Sequence, residues 1–210
     1  MMEIERKILE IKSKEVVARI LRLRPRSKKV FEGLVRVKYF DFCDGRICKK
    51  RDLLRVREIS PRGKKPYTEL VYKTFKCVKN MCKYFDELEF KFVGEKSFEN
   101  LSTLFKEIGL KQTLYYEKRR TLYSWKNLNF EIDEHPKIPA FIEIEAPSPA
   151  VIDKAIKALG LEKYEQTAEN ISELMKRKYP KVKLDGLKFK GSANYKNLIK
   201  IRRFVTIRNS

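Results

Sequence analysis

Glu3-Ile4-Glu5-Arg6-Lys7-Ile8 decides the fold, because a strand places residues i and i+2 on one face. Glu3, Glu5 and Lys7 then project together, while Ile4 and Ile8 project the other way. The same split recurs down the chain. Arg55 and Arg57 stand against Leu54 and Val56, and Glu87 and Glu89 against Leu88 and Phe90. Lys118 and Arg120 stand against Arg119 and Thr121, Glu131 and Asp133 against Phe130 and Ile132, and Glu143 and Glu145 against Ile142 and Ile144. One sign of charge dominates each strand.

A half-solvated antiparallel sheet accounts for any one such strand. Six of them strain that explanation, since like charges side by side on an open sheet repel unless counter-charges face them. Closing the sheet sets acidic strands across a lumen from basic ones, and leaves the apolar faces outside to be covered by helices. About eight strands enclose a ligand-sized interior. The expected class is therefore α+β, an eight-stranded antiparallel closed β-barrel with flanking helices.

The remaining pattern supplies these elements. Strand alternation over residues 1–12 gives way to a helical face of Val16, Val17, Ile20 and Leu21, with Ser13 as N-cap and Pro25 as stop. Strands are expected over 33–42 and 52–59, joined across Asp44-Gly45, and over 67–78 and 83–92 around Lys79-Asn80. A helix follows over 97–108, ended by Gly109, then strands over 114–125, 128–133 and 140–146. Helices over 150–159 and 170–178 complete a domain of residues 1–178, followed by a basic extension, 179–210.

The 210 residues carry a net charge of +21 on a body that is 42% hydrophobic and 11% aromatic, a composition that folds rather than stays disordered. No apolar run approaches the roughly 20 residues of a membrane span, and the charged opening is unlike a signal peptide, so a cytoplasmic protein is expected. Lys12–Lys29 holds eight basic residues and one acid, and Lys181–Ser210 nine and one, together 15 of the 21 excess charges. Such windows offer a sequence-independent footprint to RNA or polyphosphate, although no RNP, KH or helix-turn-helix pattern accompanies them. Oligomeric state stays open between monomer and homodimer.

The expected lumen holds six bases (Lys7, Arg55, Arg57, Lys73, Lys118, Arg120) and eight acids (Glu3, Glu5, Glu87, Glu89, Glu131, Asp133, Glu143, Glu145). Buried charge in this amount needs pairing or coordination. A strongly anionic ligand carrying hard divalent cations satisfies both sets. Oxygen-only ligation favours Mg²⁺ or Mn²⁺ over zinc, and a metal-chelated phosphate chain is the natural candidate.

These residues also carry a family resemblance. Glu3-Ile4-Glu5-Arg6-Lys7 resembles the E-x-E-x-K signature that opens the CYTH, or triphosphate tunnel metalloenzyme, superfamily of class IV adenylyl cyclases, thiamine triphosphatases and tripolyphosphatases. Tyr39-Phe40-Asp41, Leu54-Arg55-Val56-Arg57, Tyr72-Lys73, Glu87-Leu88-Glu89, Lys118-Arg119-Arg120, Glu131-Ile132-Asp133 and Phe141-Ile142-Glu143-Ile144-Glu145 follow in the family's order. The resemblance covers residues 1–178. Carried over position by position, it implies that Glu3, Glu5, Glu143 and Glu145 bind metal with help from Glu87, Glu89, Glu131 and Asp133. It further implies that Lys7, Arg55, Arg57, Lys73, Lys118 and Arg120 cradle a triphosphate, and that Glu3, Glu5 and Lys7 are catalytic. The activity it implies is metal-dependent triphosphate hydrolysis, with a class IV cyclase making cyclic AMP from ATP as the first alternative. An RNA 5′-triphosphatase or a non-enzymatic RNA or polyphosphate binder is the second. Val35-Arg36-Val37-Lys38-Tyr39 departs from the polar pattern of many members.

Four cysteines form two pairs, Cys43 with Cys48 and Cys77 with Cys82, each bracketing an expected turn. In an up-and-down barrel both turns share one end. Reduced thiols are the expectation, with cross-strand disulfides or a structural zinc clip as alternatives. His135 reads as a loop residue and Trp125 as a packing residue.

Overall fold

The structure, a computed structural model, describes residues 2–94 and 96–191. Among these the order is β1 (Met2–Ile8), α1 (Ser13–Arg22), β2 (Lys28–Asp41), α2 (Arg46–Lys49), β3 (Leu53–Pro61), β4 (Tyr67–Lys79) and β5 (Cys82–Phe92). Then come α3 (Ser97–Glu107), β6 (Lys111–Trp125), β7 (Leu128–Glu134), β8 (Phe141–Glu145), α4 (Pro149–Ala158), β9 (Gln166–Thr167) and α5 (Ile171–Lys178).

Eight strands close into an antiparallel barrel in the order β5-β4-β3-β2-β6-β7-β8-β1, with β1 returning to β5. The closing register is Met2↔Asp86 on one side of β1 and Glu5↔Glu145 on the other. The two-residue β9 adds to β1 at Lys7 and Ile8. The order is not up-and-down, because β1 lies between β5 and β8, and the connections through α1 and α3 carry the chain across to non-adjacent strands. Gly33 sits where β2 faces Pro61 of β3 and Arg120 of β6, and a Cβ there would lie 2.2 Å from the Ser60 carbonyl oxygen.

The apolar core lies mostly outside the barrel. Val16 and Ile20 of α1 and Ile152, Ala155 and Ile156 of α4 bury Ile4, Ile8, Phe130, Ile132, Ile142 and Ile144. Phe98 and Phe105 of α3 cover Phe40, Val56 and Tyr115. Each such side chain contributes roughly 1.5–3 kcal/mol on leaving water. Part of β5 is an exception to the expected helical cover. Leu88 and Phe90 are exposed, since α3 lies over β3, β4 and β6.

Helix α5 lies at the barrel end where β1 finishes and β8 begins. Ile171, Leu174 and Met175 are buried there with Leu9, Tyr116, Ile138 and Phe141. Asn170 caps the helix by accepting from the Glu173 N–H while the Glu173 carboxylate accepts from the Asn170 N–H, a capping box. The start of the basic extension belongs to the folded body: Gly186 N–H donates to the Tyr115 carbonyl at 2.7 Å, and Glu117 N–H to the Leu187 carbonyl at 2.9 Å. These bonds use the edge of β6 that precedes its pairing with β7 at Arg119. The alternation at Leu198–Ile207 lies outside the described residues.

Two local expectations change, the cap of α1 and the turn after β2, while the thiols are reduced as expected. Lys12, not Ser13, occupies the N-cap of α1, and its side chain makes no capping bond. Asp44-Gly45 is no two-residue turn, because the Asp41 carboxylate accepts from the N–H groups of Phe42, Ile47 and Cys48 and winds the connection into α2, entered through Gly45 at φ +69°. All four cysteines are free; Cys82 is buried and accepts from Arg6 at 3.3 Å, while the other three are exposed. Trp125 stacks on Phe130 and donates its indole N–H to the Pro25 carbonyl. No helix among the described residues is long and apolar enough to cross a membrane.

Ile144→Ala will cost about 2–5 kcal/mol, as expected for a fully buried aliphatic side chain, and Asn170→Ala about 1 kcal/mol through loss of the cap. Urea unfolding midpoints at fixed pH read both.

Candidate active site

The strand alternation sends every second side chain inward, and all fourteen charged residues expected in the lumen line one cavity of about 630 Å³. Five of the six bases lie against acids, most of them from other strands. Lys73 on β4 reaches Glu3 at 2.5 Å and Glu87 at 3.0 Å. Lys7 on β1 reaches Glu143 at 2.6 Å and Glu5 at 3.3 Å. Arg120 on β6 spans Asp133 at 2.6 Å, Glu143 at 3.1 Å and Glu131. Lys118 meets Asp133 at 2.7 Å. Nearer the rim, Arg57 holds Glu69 and Glu89, each at 2.8 Å.

Arg55 is held differently. Its charge lowers the Tyr39 phenol against the effect of burial, and the Tyr39 hydroxyl is shared with Tyr116.

Crowding forces the carboxylates apart in proton affinity. Burial, opposed by Lys73 and reinforced by Glu87, Glu5 and Glu145, pushes Glu3 up to about 11. Glu87 is held below the ordinary carboxylate range, because its bond with Glu3 and the charges of Lys73 and Arg55 outweigh burial. The second cluster repeats the arrangement. Burial lifts Glu131 against Arg120, whereas Lys7, Lys118 and Arg120 outweigh burial and depress Glu143. Like charges in a low dielectric cannot all ionise.

Two carboxylate groups have the chemistry of hard-cation sites. Glu3, Glu5 and Glu145 bring one oxygen each within 4.8 Å of one another, as do Glu131, Asp133 and Glu143. Glu87 and Glu89 line the cavity outside both groups.

Sequence reading missed several lining residues. Tyr39, Phe85, Tyr116, Lys83 and Phe141 all face the lumen, and the signal for them was parity: Lys83 and Phe85 share the face of Glu87 and Glu89. Burial and the nearby Lys7 lower Lys83 to about 8. His135 follows β7 as a loop residue would, yet it continues the Glu131-Asp133 face by one more step and is only 5% exposed. Burial drives it down to about 3.

At the end where β2 and β4 begin, the cavity meets a second one of about 890 Å³ that shares Arg57, Glu89, Arg120, Asn129 and Glu131. Its wall carries Phe31 and Tyr67 with Lys29, Arg62, Lys64, Lys65 and Lys91. The opposite end is lined by Phe141, His135, Asn170 and Ile171, with α5 packed across it.

The sequence profile of the CYTH domain matches residues 1–177. The chain belongs to the CYTH family. No curated protein matches it. Among solved structures, PH1012 from Pyrococcus horikoshii OT3 is 27% identical with a TM-score of 0.63, over 78% of this chain and 94% of that one. PH1819 from the same organism is 21% identical with a TM-score of 0.65, over 82% and 97%. HpAC1 from Hippeastrum, named for adenylyl cyclase and described as having a dominant triphosphatase activity, is 15% identical with a TM-score of 0.60, over 84% and 95%. CYTH members are metal-dependent enzymes that act on triphosphates, and the carboxylate groups of this lumen suit such a metal.

The ion pairs of this CYTH lumen make Arg120 a sensitive position. Arg120→Met will leave Glu131, Asp133 and Glu143 without their shared cation and cost about 3–5 kcal/mol. Arg120 lowers Asp133 below its unfolded value, so that stabilisation is present above the ordinary carboxylate range and disappears as pH falls. The deficit of the variant will therefore be full at pH 7 and shrink below about pH 4, as read by denaturant titrations across pH.

Proposed function

We propose that this CYTH protein is a divalent-cation-dependent phosphohydrolase acting on a linear triphosphate, either free tripolyphosphate or a nucleoside or thiamine triphosphate. The observation that carries the reading is the alternation, along one closed lumen, of two three-carboxylate groups with six bases. A phosphate chain alone would meet the acids, and a cation alone would meet the bases. Together they exchange the internal ion pairs for pairs with the ligand.

Each set of residues has its part. Glu3, Glu5 and Glu145 would hold one cation, and Glu131, Asp133 and Glu143 would suit a second; Mg²⁺ or Mn²⁺ fits an all-oxygen donor set. When bound, such a cation neutralises phosphate oxygens and makes a nearby water more acidic. Lys7, Arg55, Arg57, Lys73, Lys118 and Arg120 spread positive charge along the chain's oxygens, where charge accumulates as the terminal phosphoryl group transfers. Glu3, Glu5 and Lys7 stand together on β1 as the residues closest to both tasks. Glu87 and Glu89 assist through Lys73 and Arg57.

A second reading, cyclisation of ATP to cyclic AMP and pyrophosphate, is favoured by the neighbouring cavity, whose Phe31 and Tyr67 offer apolar faces to a nucleobase. Hydrolysis is preferred here, and the dominant triphosphatase activity of the Hippeastrum protein is a precedent on this fold.

With Mg²⁺ or Mn²⁺, purified protein will release phosphate from tripolyphosphate, ATP or thiamine triphosphate, and Lys73→Met will lower the rate about 10²–10³-fold. Cyclic AMP from ATP as the main product would overturn hydrolysis, and no turnover of any of these or of 5′-triphosphorylated RNA would overturn the enzyme reading.

Cation binding will also release protons. Glu3, raised to about 11, keeps its proton at neutral pH and loses it to the incoming cation. Apparent affinity for Mn²⁺ will therefore rise with pH between about 6 and 8, and calorimetry in buffers of different ionisation enthalpy will count about one proton released.

A further inference from the structure

His135 is buried to 5% exposure, lines the tunnel, and has no hydrogen-bond partner among the described residues at either ring nitrogen. Buried polar side chains are nearly always paired, and the neighbouring lumen residues Lys118, Arg120 and Asp133 are bonded to one another. The imidazole is held instead by flat contacts. Its centroid lies 5.2 Å from the stacked Phe141 ring and 5.5 Å from the tilted Tyr116 ring. A phenylalanine would fill that slot without leaving polar atoms bare, so packing alone does not account for a histidine here.

The position adds a direction. His135 lies two residues beyond Asp133 on the same face, at the end of the barrel that Ile171, Leu174 and Met175 of α5 close off. The other end meets the basic second cavity. A phosphate chain entering from that side brings its free end, not its esterified end, up to His135. An imidazole then offers one N–H to a phosphoryl oxygen and one lone pair to a protonated oxygen or a water.

We propose that His135 contacts the terminal, unesterified phosphoryl group of the substrate and so fixes the direction in which a triphosphate lies. This inference rests on the tunnel being a triphosphate site. It selects substrates with a free terminal phosphate and disfavours polyphosphates esterified at both ends.

The test compares His135→Phe, which keeps the ring contacts, with His135→Gln, which keeps a donor. Binding of tripolyphosphate, ATP and diadenosine triphosphate is measured by calorimetry with Ca²⁺ in place of Mg²⁺ or Mn²⁺, and phosphate release is followed in parallel so that binding is read without turnover. The wild type is expected to bind ATP about tenfold more tightly than diadenosine triphosphate. His135→Phe is expected to unfold at the same or a higher temperature than the wild type, to bind tripolyphosphate about tenfold more weakly, and to narrow the ATP preference to about twofold; each tenfold change corresponds to about 1.4 kcal/mol. His135→Gln should recover most of the lost affinity. Unchanged affinity and preference in His135→Phe would overturn the inference while leaving the triphosphate site intact. A lowered unfolding temperature in His135→Phe would overturn it in favour of a structural histidine. A wild type that binds no triphosphate would overturn the tunnel reading and this inference together.

Discussion

Arg120 faces three carboxylates at once, Asp133, Glu131 and Glu143, drawn from two neighbouring strands. Lys7 bridges Glu5 and Glu143, and Lys73 bridges Glu3 and Glu87. A barrel that points its charges inward stands only if each is offset, since an unpaired buried ion costs several kcal/mol. The eight acids and six bases read from the sequence leave a balance of −2, and adding Glu69 and Lys83 leaves it unchanged. That formal excess, counted with every carboxyl ionised, is concentrated in two three-carboxylate groups, where burial holds Glu3 and Glu131 up toward their protonated forms.

Pointing charge inward moves the core outward. Ile142 and Ile144 are wholly buried beneath helices while Glu143 and Glu145, between and beside them, line the tunnel. Stability and chemistry thus sit on opposite faces of the same strands. An aliphatic truncation outside reads out as unfolding, and a charge change inside reads out as altered protonation and ligand affinity. The inner wall is not wholly polar: Val35, Val37 and Tyr39, alternate residues of β2 in register with Arg57 and Lys118, form an apolar stripe on the inner side of the barrel, with Tyr39 lining the cavity.

Much of this was legible from period-two alternation, because a strand cannot place Glu3 and Ile4 on the same side. The closed barrel followed from repetition of the device over six strands. Strand order was harder to read, since nothing local to β1 tells that it lies between β5 and β8. Helix α2 was missed because Asp41, a side chain outside the turn, organises it. His135 was legible by parity with Glu131 and Asp133, but its burial depends on α5 and on the rings of Tyr116 and Phe141, which arrive from distant parts of the chain. The excess positive charge lies elsewhere. Most of it falls on the exposed stretch around α1, on the rim of the second cavity and in residues beyond those described, where it bears on what approaches the tunnel.

The most direct test of a lumen built to exchange its internal ion pairs for a cation and a phosphate chain is anomalous diffraction from crystals holding Mn²⁺ and tripolyphosphate. The account predicts Mn²⁺ bound by Glu3, Glu5 and Glu145 or by Glu131, Asp133 and Glu143, with Lys73 and Arg120 turned from their carboxylates to phosphate oxygens. Mn²⁺ confined to the outer surface, with every internal ion pair intact, would contradict it.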